Sequence, residues 1–469
     1  MLGRSKDRSM RRSVLKHKLI AVLAIAIIAR LGALGAFPSV FAFSQPGADI
    51  HGSVAYDAYA LNLIETGTYG RIPGTPDSVL PPLYSIALAL IYAVFGRSYV
   101  AVGLIHALLD VCAIALLYDI ARRLFPGGRG ERIGALSALF FALYPYLIFQ
   151  NLTLNDTALW ITLLHLFVWL MILLREQERE NRRTFALAGA AGIVLGISAL
   201  ARALLPPLAL LLALWFLFRL SWRQTLLRLL PVAIVSLLVL LPWLARGAAI
   251  HGGFVAVALN GGENLYQGNN RETVPIFRAG YDVQWSSRPP DAPRTDDPYL
   301  NNQLLLNAGL RYLRENPGRI PELLWVKFWV YWNAQVTPLK NLRAGEVLRV
   351  TADGVVQIIS GGDSHTGVSA ANAAYQDESL FAVVGRNLHI VYFGGLWLLA
   401  IGGAALSRRD WRDLSPLFFV QISQTAVYLL FHPSTRYRSP TDPLLFVFSA
   451  LALVWLWERW RGWHDTHSP

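Results

Sequence analysis

Long charge-free apolar runs constrain this chain more than any other feature. A helix needs about 20 mostly apolar residues to cross a hydrocarbon layer of about 30 Å. Ten stretches meet or approach that length: 19–37, 98–121, 133–150, 157–174, 184–201, 203–219, 226–244, 381–404, 413–431 and 442–458. Two shorter ones, 81–96 and 320–336, give about 24 Å of helix each at about 1.5 Å per residue, too little to cross. Over the 469 residues only 15% are charged, against about 25% in an ordinary soluble domain. A soluble enzyme, a disordered tail and a fibrous repeat are all excluded, and the expected class is an all-α polytopic membrane protein.

Orientation follows from basic residues in the short loops. The first 18 residues hold seven Lys/Arg, and the apolar run after them outlasts the core of a cleavable signal. With the N-terminus placed inside, 23 basic residues fall on the cytoplasmic side. They include Arg122, Arg123, Arg129, Arg132, Arg175, Arg219, Arg228, Arg408, Arg412 and Arg459. The short outer loops and segment 38–97 hold only Arg71, Arg97, Arg202, Arg436 and Arg438. The expected organisation is a cytoplasmic basic N-terminus (1–18) followed by a seven-crossing membrane catalytic module (19–244) that includes the first outer loop 38–97. An extracytoplasmic region (245–380) with an interfacial helix at 320–336 follows, then C-terminal membrane helices (381–458) and a cytoplasmic tail (459–469). The expected localisation is an inner (plasma) membrane with both ends cytoplasmic and the two large segments, 38–97 and 245–380, outside.

The net charge of +12 is spread in short clusters between apolar runs, which speaks against nucleic acid. Cys112 is the single cysteine, so an internal disulfide or a CxxC zinc site is impossible. No GxxxxGK[ST], HExxH or GxSxG occurs. No fixed-period repeat suggests an inverted-repeat transporter.

Acids on the outer side are the candidate chemistry. Asp49 precedes a segment with helical spacing from Ser53, in which Tyr56, Ala60 and Leu63 share a face. A carboxylate there can act as a general base or help hold a divalent ion, or it is a solvated loop acid. Asp156, in the second outer loop, either shares a metal ion with Asp49 or is a first-turn helix acid favoured by the dipole. Arg30 lies inside the first apolar run, where an arginine faces a polar cavity or snorkels to the headgroups. Arg202, Arg436 and Arg438 are candidate clamps for phosphate, which arginine grips bidentately. Trp325, Trp329 and Trp332 are interfacial anchors or a cover for a lipid donor.

In order along the chain come Tyr56-Asp-Ala-Tyr, Pro81-Pro-Leu-Tyr84, Tyr144-Pro with Asp156, Ala199-Leu-Ala-Arg202, Leu241-Pro-Trp-Leu-Ala-Arg246, Asn260-Gly-Gly-Glu-Asn-Leu-Tyr-Gln-Gly-Asn-Asn and Arg436-Tyr-Arg-Ser-Pro440. With these motifs the chain resembles the membrane glycosyltransferases of the C-type fold, in particular glycosyltransferase family 39 and related polyprenyl-phosphate-sugar enzymes. The resemblance implies transfer of a sugar, with inversion, from a polyprenyl-phosphate donor to an acceptor hydroxyl of a glycan, lipid or protein on the outer face. It implies a base at Asp49 or Asp57 and a divalent ion (Mg or Mn) held by Asp49, Asp156 and His51. Arg202, Arg246, Arg436 and Arg438 would hold the donor phosphate, and Tyr56, Tyr84, Asn264, Tyr266 and His432 would line the substrate site. In relatives the first acid stands four residues before the tyrosine matched by Tyr56, and here that place is Gly52. A lipid-linked glycan transporter or flippase, and a lipid-diphosphate-dependent polymerase or ligase, are the alternative readings.

Overall fold

A computed structural model describes residues 2–37, 53–340, 342, 346–360 and 380–467. Nine of the ten apolar runs each fall on one helix, and 133–150 is divided between two. In chain order these are α1 (Leu2–Ala36), α4 (Tyr99–Leu124), α5 (Gly127–Ala142), α7 (Thr157–Arg175), α8 (Arg182–Ala201), α9 (Leu205–Leu217), α10 (Trp222–His251), α15 (Leu380–Leu406), α16 (Trp411–Leu430) and α17 (Asp442–His467). Shorter helices lie between them: α2 (Ser53–Thr66), α3 (Pro82–Phe95), α6 (Pro145–Gln150), α11 (Gly261–Gly268), α12 (Thr273–Ala279), α13 (Pro298–Glu315) and α14 (Ile320–Trp332). Among the described residues seven helices are long and apolar enough to cross a membrane. Helices α5, α9 and α16 are not among those seven.

Local chemistry sets the helix boundaries. The run 133–150, expected as one crossing, breaks at Leu143 and Tyr144 and restarts as α6. Pro145 is responsible: it has no N–H to donate, and it holds the preceding residue, Tyr144, extended at φ −69°, ψ 109°. Likewise α8 ends where Arg202 is extended at φ −150°, ψ 126°, and α9 opens with two prolines in its first turn. At the N-terminus of α8 an Asn181–Thr184 capping box satisfies the free amides, and Ser221–Gln224 does the same for α10.

Packing follows small residues and buried stripes. Helix α1 presents Val22, Ala26, Arg30 and Leu34 inward at four-residue spacing, while Ile20, Ile27, Ile28 and Leu31 stay exposed. Gly192 and Gly196 let α8 lie directly against α10: a Cβ at Gly192 would sit 2.7 Å from the Val232 carbonyl, and one at Gly196 would sit 2.7 Å from Val239 Cβ. The main core gathers α4, α5, α7, α8, α9, α15, α16 and α17, with Trp160, Phe167 and Phe216 fully buried.

Charges sort to the two ends of this bundle. At one end Arg122 and Arg123 pair with Asp119, Arg132 with Glu458, Arg219 with Asp413, and Arg228 with Glu180. At the other end lie the C-terminus of α8, the N-terminus of α7 and the turn between α16 and α17. A small extra-bundle unit is a two-stranded antiparallel hairpin, β1 (Glu346–Val350) with β2 (Val356–Ser360), in register Glu346↔Ser360. It packs Leu348 and Val350 on Ile276 and Val283.

Candidate active site

Three chain-distant elements meet at Asp156. It sits at the N-cap of α7 but makes no side-chain cap bond, so its carboxylate is free to face sideways. Arg202, at the end of α8, fills it: Nε donates to Oδ2 and Nη2 to Oδ1, both at 2.5 Å. Arg436, in the helical turn Thr435–Arg438, brings Nη2 to 3.6 Å from the same Oδ1. Two guanidiniums and one carboxylate leave one positive charge in excess. Arg202 Nη1 and Arg436 Nε are buried and have no hydrogen-bond partner among the described residues. A buried orphan N–H is costly, so this cluster is suited to a further anion.

Aromatic groups wall the cluster. Trp160 lies under Arg202 with its centroid 5.6 Å from the guanidinium carbon, and Tyr437 lies 5.9 Å from that of Arg436. Tyr437 stacks on Tyr428 at 5.0 Å, and His432 meets its edge at 5.5 Å. Tyr56, on the helix that the spacing from Ser53 predicted, is buried close enough to sense the charges of Asp156, Arg436 and Arg202. Burial, then Asp156, raise its pKa well above the ordinary phenol value. Behind it Tyr84 packs edge-on at 5.0 Å and bonds His106 Nε2 at 3.0 Å. Burial alone would raise the pKa of Asp156, but Arg202 first and Arg436 second overcome this and hold it below the usual carboxylate range. The partnership works both ways: burial opposes the charge on Arg202, yet Asp156 raises its pKa.

The other expected site residues go elsewhere. Asp49 and His51 lie outside the described residues. Asp57 is buried and held by Tyr92 Oη at 2.7 Å and by Arg97 Nη2 at 2.5 Å, so both of its oxygens are in use. Arg438 is fully buried and faces away from Arg436. It bonds the carbonyls of Tyr331 and Asn333, at 3.2 and 2.5 Å, contacts Asp442 at 3.3 Å, and covers the Phe393 ring at 3.6 Å. With these groups around it, Arg438 joins the loop after α14 to the start of α17 and has no face left for a lipid phosphate. Arg246 reaches over the first outer loop to the carbonyls of Asp77 (2.9 Å) and Tyr69 (2.7 Å). It is a clasp on that loop, stacked on Trp243 at 4.7 Å. Asn264 accepts from His432 Nε2 at 3.3 Å, while Tyr266 turns outward to the Ser287 carbonyl at 2.8 Å. The first contact needs a close approach: a Cβ at Gly268 would lie 1.9 Å from the Phe431 carbonyl.

Neighbouring residues that the sequence did not single out complete the region. Lys327, inward on α14 with Leu323 and Tyr331, donates to Asn269 Oδ1 and the Leu429 carbonyl, each at 2.9 Å. The ammonium thereby caps the C-terminus of α16, and burial lowers its pKa to about 7. On the outer face of the same helix Leu324, Trp325, Phe328 and Trp329 are exposed. Tyr437 carried one signal, its place between Arg436 and Arg438, whereas Tyr428 sits in an apolar run and carried none.

Of the ligands expected for a divalent ion, Asp49 and His51 lie outside the described residues. Both oxygens of Asp156 are committed to Arg202, two cations crowd it, and no group of three His, Cys, Asp or Glu among the described residues could hold a metal.

Residues 79–245 match the family described as dolichyl-phosphate-mannose-protein mannosyltransferase. No curated protein sequence matches the chain. Among solved structures it is similar to the Archaeoglobus fulgidus oligosaccharyltransferase in complex with zinc and sulfate, with 15% identity and a TM-score of 0.54 over 94% of this chain and 49% of that one. The same enzyme, AglB, with an inhibitory peptide and a dolichol-phosphate gives 14% identity and a TM-score of 0.54, covering 98% and 52%. The chain thus spans about half the length of these oligosaccharyltransferases. ArnT from Cupriavidus metallidurans bound to undecaprenyl phosphate aligns at 15% identity with a TM-score of 0.43, covering 92% and 77%. The chain is therefore a polytopic membrane protein with the C-type glycosyltransferase fold, similar through its central segment to the dolichyl-phosphate-mannose-protein mannosyltransferases.

Proposed function

We propose that this protein transfers a sugar from a polyprenyl-phosphate donor to an acceptor hydroxyl at the extracytoplasmic surface of the inner membrane. The observation that carries this reading is the cluster of Asp156, Arg202 and Arg436, with one positive charge in excess and two buried N–H groups unfilled. The similarity over residues 79–245 to a family named for a lipid-phosphate sugar supports it. So does the dolichol-phosphate bound in a neighbour of the same fold. Ten crossings with both termini cytoplasmic, and the domain boundaries given by charge placement, belong to the same reading.

In the step itself the acceptor oxygen attacks the anomeric carbon as the carbon–oxygen bond to phosphate breaks. The electron pair leaves on the phosphate, which changes from a diester with one negative charge to a monoester with two. Arg202 and Arg436 meet that growing charge, and Asp156 holds Arg202 in place through its fixed fork. The acceptor proton passes to a carboxylate, for which Asp49 is proposed. Asp57 already has both oxygens engaged and serves as a tether between α2 and Arg97. Backside attack inverts the anomeric centre.

The test is release of free polyprenyl phosphate when purified protein is given a polyprenyl-phosphate sugar and a hydroxyl acceptor. Arg436→Gln is expected to lower kcat/KM by about 100-fold or more, as for loss of one charge-stabilising donor. Donor transport across vesicles without release of polyprenyl phosphate would refute the enzyme and favour a flippase.

A further inference from the structure

At the end of the bundle opposite Asp156 a second arginine fork stands unfilled. Arg175 closes α7 with a side chain only 7% exposed. Its guanidinium carbon lies 4.0 Å over the ring of Trp215 on α9, which fixes the plane of the group. Nε and Nη2 share one edge of that plane, and both are buried with no hydrogen-bond partner among the described residues. Arg202 grips Asp156 with that same pair of nitrogens. On Arg175 the edge is built and desolvated, and no carboxylate meets it. The acid paired with Arg175, Asp413, is 3.9 Å from Nη1 on the other side, and Arg219 already holds it at 2.6 Å.

The surroundings select the ligand. Arg228 bonds the carbonyls of Leu174 and Arg175, at 3.0 and 3.3 Å, and pairs with Glu180 at 2.7 Å, so it neutralises one acid and closes the helix end. Arg175, Arg219 and Arg228 against Asp413 and Glu180 leave one positive charge, which matches the single negative charge of a phosphodiester. The exposed face of α9, turned away from Trp215, is apolar. Leu210, Leu214 and Leu217 are exposed along one face of α9, with Ile422 exposed on α16 and Phe218 against Trp411 at 5.3 Å. A charged fork at one end of a helix whose exposed face is apolar suits an amphiphile whose anionic head lies at the membrane surface.

We propose that Arg175 and Trp215 form a binding site for the phosphate of an anionic phospholipid in the leaflet opposite the Asp156 cluster, with its acyl chains along α9. A zwitterionic head would place its own cation beside Arg219. Free inorganic phosphate would fill the fork but leave the apolar face unused.

The experiment is native mass spectrometry of the full-length protein, with phosphatidylglycerol, phosphatidylcholine and inorganic phosphate offered separately. The wild type should retain one phosphatidylglycerol at least about fivefold more tightly than phosphatidylcholine, and inorganic phosphate weakly. Arg175→Gln should lower phosphatidylglycerol retention about tenfold, the size of one charge-assisted bidentate contact. Arg219→Gln, at an exposed side chain, uncovers Asp413 and should lower it about threefold. Equal retention of the two lipids by the wild type overturns the proposal, as does unchanged retention in either variant. Phosphate held as tightly as phosphatidylglycerol would overturn the lipid assignment. If Arg175→Gln does not fold, the wild-type comparison and Arg219→Gln decide.

Discussion

Arg30 and Asp110 form an ion pair in the middle of the apolar bundle, and their removal gives the sharpest energetic test. Arg30 is 2% exposed, with Nε at 2.8 Å and Nη2 at 2.7 Å from Asp110 Oδ2. Its Nη1 donates to the Ala142 carbonyl at 2.9 Å, the last residue before the Pro145 break. Asn151 Nδ2 donates to the same Asp110 oxygen at 2.8 Å, five residues before Asp156. The pair therefore ties α1 and α4 to both ends of the second outer loop. Arg30→Met leaves a buried carboxylate without its cation and should cost about 3–5 kcal/mol. Asp110→Leu strands both Arg30 and the Asn151 amide, adding about 1–3 kcal/mol for the unsatisfied donor. In the double variant no charge remains, so only the unpaired Asn151 amide and Ala142 carbonyl, about 1–3 kcal/mol each, should persist. The two stranded-charge costs cancel in the double variant, so the coupling between the two sites is about 6 kcal/mol or more, at least about ten-thousandfold in the folding equilibrium. Reversible unfolding in mixed micelles, read by near-UV circular dichroism, measures all four corners of this cycle. A double variant as unstable as the sum of the singles would refute the ion-pair argument, and so would an Arg30→Met cost below about 1 kcal/mol.

Three further outcomes follow from contacts already given. Asp156→Asn strands Arg202; because the folded pKa of Asp156 is depressed, its contribution is present above about pH 4 and is lost as pH falls through the folded value. Thermal unfolding from pH 6 to 3 should show a lower Tm for Asp156→Asn at pH 6 and a gap that narrows on acidification. Burial lowers the Lys327 pKa to about 7, so the unfolded chain binds the extra proton between about pH 7 and 10.4, and stability should rise with pH across that window. Lys327→Met should flatten that rise in denaturant titrations at pH 7 and 9. Gly196→Ala forces a Cβ to 2.7 Å from Val239 Cβ and should destabilise by about 1–3 kcal/mol in the same unfolding assay, whereas Gly189→Ala, with open space, should be nearly neutral.

Much of the architecture was written in local chemistry, and most of the site was not. The apolar runs gave the helices because a chain in lipid must satisfy its backbone within each segment. The break at Tyr144 was missed although Pro145 announces it, because the hydropathy of 133–150 is continuous across the turn. Arg30 could have been placed on the inner face from its spacing with Val22, Ala26 and Leu34, but its partner Asp110 is 80 residues away, and nothing local names it. The Asp156–Arg202 fork likewise spans 46 residues and depends on where α8 stops. Arg436 and Arg438 looked like one clamp, yet residues two apart on a helical turn point to opposite sides. One meets Asp156 and the other is sealed against Phe393.

Helix α10 has a consequence for how the protein senses its solvent. Its 30 residues make it about 45 Å long, and two arginines pin it: Arg228 to the end of α7, and Arg246 to the first outer loop. Those pins are 18 positions apart, about 27 Å of rise, close to the hydrocarbon thickness of an ordinary bilayer. A membrane that thickens or thins must tilt this strut or pull on one of its moorings, and the mooring at Arg246 holds the loop that follows Tyr56. Hydrophobic mismatch on this helix would therefore be felt as strain at the loop beside the charged cluster.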